Sequence, residues 1–164
     1  MSDIHKPKIS VTPEEVVQVL AQEYILSEAM NFQPGLVINT TMRPYFDAKS
    51  LIYRLAITLM VMINEEKGNP NLLAVRERLE YVFFTSLEDG AVWITEVEQA
   101  THKLGELMFS EERREFSWGI AWFKEIGIDE TDPINLAMFA KKWMSQCTMV
   151  TKTVRDFAVE VPVY

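Results

Sequence analysis

From Leu136 to Phe157 the apolar residues Leu136, Ala140, Trp143, Cys147, Val150, Val154 and Phe157 follow one another at intervals of four and three. That alternation keeps them on one stripe of an α-helix and scatters them over both faces of a strand. A long helix with one apolar seam must lay that seam against other helices. Trp93, Val97, Ala100, Leu104 and Leu107 repeat the pattern upstream.

Start and stop signals divide the chain into six predicted helices. Thr12-Pro13-Glu14-Glu15 supplies an N-cap, a proline at the first helical position and a glutamate that reaches back, opening a helix over about 13–30. Pro44 opens a second over about 44–66, before Gly68, and Asn69-Pro70 a third over about 70–87. After Asp89-Gly90 a fourth runs to about Met108. Ser110-Glu111-Glu112 caps a fifth, which stops at Gly127, and Asp132-Pro133 opens a sixth reaching about Ala158. The second is apolar over about 240° of its circumference, leaving a thin polar strip of Asp47, Ser50, Arg54, Thr58 and Glu65, which places it in the middle of the bundle. The sixth serves as a long outer brace.

The expected fold is therefore all-α, a single-domain bundle of about six helices. It has an N-terminal arm over 1–12, a helical body over 13–158 and an extended tail over 159–164. Six glycines and seven prolines are too few for the turns of a β-sandwich. The segment Asn31 to Arg43 is long and apolar for a loop, and Val159-Glu160-Val161 alternates like a strand, so tail and loop are expected to lie extended across the bundle, paired with each other.

Composition excludes several functions. With 16 basic and 24 acidic residues the net charge is −8, and every segment between the predicted breaks is neutral or acidic. A nucleic-acid partner is disfavoured because no basic patch is concentrated anywhere. Cys147 is the only cysteine, so no internal disulfide forms, and the first thirty residues carry no basic-then-apolar leader. The longest apolar run, Leu51 to Ile63, is broken by Arg54 and Thr58 and spans about 20 Å as a helix, too short for a bilayer. No membrane association and a cytoplasmic location are the expectation.

Tests for chemistry return little. A carboxylate-bridged metal pair in a bundle needs two Glu-x-x-His motifs, whereas the only histidines are His5 and His102 and Gln99 precedes the latter by three. His102 falls on the polar side of its helix between Glu98 and Glu106, the wrong face for an axial haem ligand. Cys147 lies mid-helix in the apolar seam, away from any activating group. No nucleophile elbow, phosphate loop or dinucleotide fingerprint occurs. No catalytic residue, metal or cofactor is expected. Scattered carboxylates such as Glu77, Glu80, Glu96, Glu98 and Glu106 read as solvated faces.

The remaining candidates are binding residues. Met138 and Met149 lie opposite the seam of the sixth helix. Trp118 and Trp122 widen the apolar arc of the fifth, and Arg114 precedes Trp118 by one turn, a cation–π spacing. Arg54, interrupting the most apolar helix, and Tyr53 beside it could anchor a ligand, against the plainer reading of an arginine paired on a polar strip. The leading expectation is a non-enzymatic interaction or regulatory protein. It would bind another protein, or a second copy of itself, through the faces of the fifth and sixth helices. The alternative is a sensor for a small apolar ligand held in a cavity between the second, fifth and sixth helices.

Overall fold

A computed structural model describes residues 7–26, 43–86, 90–108, 114–125 and 132–161, which form an all-α bundle of six helices with a two-stranded sheet at its ends. Strand β1 (Ile9–Val11) leads into α1 (Pro13–Leu20). The capping box forms as its residues suggest: Thr12 Oγ1 accepts from the Glu15 amide, and the Glu15 carboxylate accepts from the Thr12 amide. At Ala21 the helix widens into a π-helical turn, Ala21–Ile25, closed by Leu26 N donating to Ala21 O. The expected continuation to residue 30 falls outside the described residues, as does the 31–42 loop.

Next come α2 (Arg43–Glu65), α3 (Leu72–Ser86), α4 (Gly90–Met108), α5 (Arg114–Glu125) and α6 (Pro133–Arg155). Asp132 caps α6 through its carboxylate on the Ile134 amide, ahead of the proline at the first turn. The caps expected of Ser110 and Gly127 lie outside the described residues.

Helix α6 ends earlier than its seam suggests. It stops at Arg155, and Phe157–Val159 form strand β2, parallel to β1 with Ile9 opposite Phe157 and Val11 opposite Val159. The start of the tail therefore pairs with the N-terminal arm, and the loop expected to partner it lies outside the described residues. Ile9 N donates to Asp156 O, Glu160 N to Val11 O, and Asn71 Nδ2 to Val159 O, so backbone groups that a longer helix would satisfy internally are taken up across both ends of the chain.

Helix α2 is central, touching α3, α4, α6 and the π turn. Every residue from Ile52 to Met62 is buried. The stripe of α6 is wider than the predicted seam, because Phe139 and Gln146 are buried beside Leu136, Ala140, Trp143, Cys147, Val150 and Val154. The extra width receives α5, whose Phe123 ring packs edge-on against Phe139 at 4.6 Å between centroids. Ion pairs tie α2 to α4 (Lys49 to Glu96, 2.8 Å) and to α6 (Arg155 to Glu65, 2.8 Å). Among the described residues no helix is long and apolar enough to cross a membrane.

Candidate functional site

Because α2 is apolar on most sides, it has more apolar surface than its packed neighbours cover. Toward its C-terminal end Leu59, Met60 and Ile63 face a groove of about 670 Å³ between α3 and α4. Leu59, Met60 and Val97 of α4 form a buried floor, Phe84 of α3 is half-buried in one wall, and Ile63 is 45% exposed.

The rim is charged. On α3, Arg76 reaches both Glu66 and Glu80. The hydrogen bond it donates to Glu66 is the largest influence on its guanidinium and raises its pKa, against the opposing effect of burial. On α4, Glu98, His102 and Glu106 stand at successive turns of one wall, with His102 Nε2 3.1 Å from Glu106 Oε1. His102 is thus exposed on the polar side of its helix, where the sequence places it, but it borders an apolar groove.

Gly105 also lines that wall, inside α4, and a Cβ built on it meets nothing within 4 Å. Glycine in a helix interior costs roughly 0.5–1 kcal/mol relative to alanine. No contact among the described residues requires it here. Gly105→Ala is accordingly expected to raise the unfolding free energy by about 0.5–1 kcal/mol in urea titrations. A loss would show that the position needs its glycine for the fold.

The residues singled out from sequence lie elsewhere. Trp118 is 2% exposed and Trp122 fully buried, so neither offers a surface to a partner. Trp118, Trp122 and Phe123 of α5 are buried where α6 and α4 pack against it, while Ile120 of the same helix is 41% exposed. The side chain of Arg114, the first residue of α5, is outside the described ones. Tyr53, Trp122 and Trp143 meet with ring centroids 4.8, 5.1 and 5.7 Å apart. They fill the junction of α2, α5 and α6 where the sequence reading places a ligand cavity. Met138 and Met149 are 41% and 38% exposed on the outer side of α6, alongside Ile134 but separated by Lys141 and Ser145.

Arg54 is buried rather than set at a pocket mouth. Its Nε donates to the Ile25 carbonyl at 2.7 Å, capping the π turn. Its own carbonyl accepts from Thr58 Oγ1 and Gln146 Nε2. Ser50, Arg54 and Thr58 of the polar strip of α2 thus face the interior, where Arg54 is held against the backbone of the π turn. Lys142 of α6 lies close enough that its pKa is lowered, first by desolvation and then by the Arg54 charge. A lowered lysine leaves the unfolded chain holding more protons between the folded and unfolded pKa values, so stability from this group rises as pH increases through that alkaline window. Arg54→Met removes the second cause. It is expected to shift the Lys142 titration upward, read by NMR of the side-chain amine, and to cost about 2 kcal/mol for the lost charged hydrogen bond.

Burial pushes the Cys147 thiol up, as suits a core residue. Among the described residues no three His, Cys, Asp or Glu side chains gather closely enough to hold a metal ion. The groove escapes sequence reading because its walls come from three helices. Its one local trace in the sequence is a glycine, Gly105, inside the helical pattern of α4. The chain matches no protein-family model, no curated protein and no solved structure.

Proposed function

We propose that this chain is a non-enzymatic interaction domain that binds another protein through the groove between α3 and α4. The observation that carries this reading is an open-sided groove with an apolar floor of Leu59, Met60 and Val97 and charged side chains confined to its rim. An apolar centre inside a polar rim is the usual anatomy of a protein–protein contact. The outer face of α6, by comparison, offers single apolar side chains parted by Lys141 and Ser145, an ordinary surface.

A photo-reactive residue at position 63, with one at position 149 as the control, tests this in the cells that make the protein. A protein cross-linked from position 63, and lost when Gly105→Trp fills the groove, is the expected result. Cross-linking from position 149 alone, insensitive to that change, would return the binding surface to α6 and defeat the proposal.

A small apolar ligand is the second reading. It is favoured by the groove volume of about 670 Å³, within the roughly 300–1,000 Å³ usual for small-molecule sites. Native mass spectrometry of gently purified protein would detect a retained small molecule.

A further inference from the structure

We infer that the occupant of the groove is an amphipathic helix of a partner protein with lysine or arginine along the edge that faces α4. This rests on the interaction reading above and names the partner's chemistry. Groove residues run from Leu59 to Asn64 on α2, with Lys67 just past its end, and from Val97 to Glu106 on α4. At 1.5 Å per residue the α4 wall is about 14 Å long, roughly two and a half helical turns. That length suits apolar anchors at positions i, i+3 or i+4, and i+7 of a docked helix.

Gly105 supplies the second observation. It carries its conformational cost without any contact within 4 Å that a Cβ would disturb. Gly119, by contrast, is explained by the α6 backbone against it. A bare backbone on a groove wall lets a second helix approach closely.

Charge decides which helix fits. The α4 wall presents the Glu98 and Glu106 carboxylates with His102 between them, and Glu98 makes no ion pair among the described residues. Across the groove the Arg76 guanidinium is already engaged by Glu66 and Glu80. On the α4 side the unmatched charge is therefore negative, while Lys67, just past the end of α2, is the groove's other cation. A basic edge answers the α4 wall, while a second copy of this chain, with net charge −8, would bring acid to acid.

The test uses the full chain and helical peptides of about 16 residues, with leucines at i, i+3, i+4 and i+7 and flanking lysines. A second set replaces the lysines with glutamates. Fluorescence anisotropy is expected to show the lysine peptide binding, with affinity falling as salt is raised. Gly105→Trp should abolish binding while leaving the thermal transition in place. Glu98→Lys with Glu106→Lys should weaken it about tenfold, the loss of two exposed pairs, and reverse the preference toward the glutamate peptide.

Equal binding of both peptides would overturn the inference. So would a dimer of the chain that Gly105→Trp dissolves, which would assign the groove to a second copy. If neither peptide binds while the position-63 cross-link to a cellular protein persists, the basic-helix inference fails and the interaction reading survives.

Discussion

Trp143→Ala is expected to lower the unfolding free energy by about 3–5 kcal/mol, the usual range for truncating a large buried aromatic. Trp143 is fully buried, and its ring lies 5.1 Å from that of Trp122 and 5.7 Å from that of Tyr53. These three side chains join α6, α5 and α2, so deleting one ring leaves a void that three helices must collapse to fill. Natural domains have only about 5–15 kcal/mol to lose, and the variant should stand near the limit of folding. Urea unfolding followed by far-UV circular dichroism measures the effect. Trp143→Phe keeps most of the ring and removes an indole N–H that has no hydrogen-bond partner among the described residues, so it should cost distinctly less. A loss below about 1 kcal/mol for the alanine variant would mean that the junction of α2, α5 and α6 is not packed as described.

Gly119→Ala is expected to destabilise by about 2–3 kcal/mol, although the same change gains stability at an open helical site. The added Cβ would overlap the Leu136 carbonyl oxygen and lie 2.9 Å from its carbonyl carbon. The obstacle is backbone, so no rotamer change relieves it, and α5 must move away from α6. That displacement would also separate Phe123 from Phe139. With Gly105→Ala the pair forms an internal comparison: one chemical change, opposite signs, set by what lies beyond each Cα. Calorimetric transitions of the two variants should bracket the parent, and two shifts of the same sign would refute the close contact of α5 with α6.

Much of the fold is legible in residue order because helices are local. The capping box at Thr12, the proline-led start of α6 and the intervals from Leu136 to Val154 each encode a boundary or a face without reference to distant residues. The end of α6 is different. Phe157 continues the helical spacing, yet it joins a strand because the N-terminal arm offers Ile9–Val11 as a partner, a contact between opposite ends of the chain. Trp118 shows the same limit. An apolar arc on a helix marks burial or binding equally well, and only the placement of α6 and α4 against α5 resolves it in favour of burial for Trp118.

The order of residues determined that the chain is helical, where most described helices start, and that α2 belongs at the centre, since periodicity and capping act over a few residues. Tertiary structure alone decided that Arg54 caps a π turn inside the core, that the tail pairs with the arm, and that a groove opens between α3 and α4. Those features join groups far apart in sequence, and the free energy that selects them comes from contacts that exist only once the helices have docked.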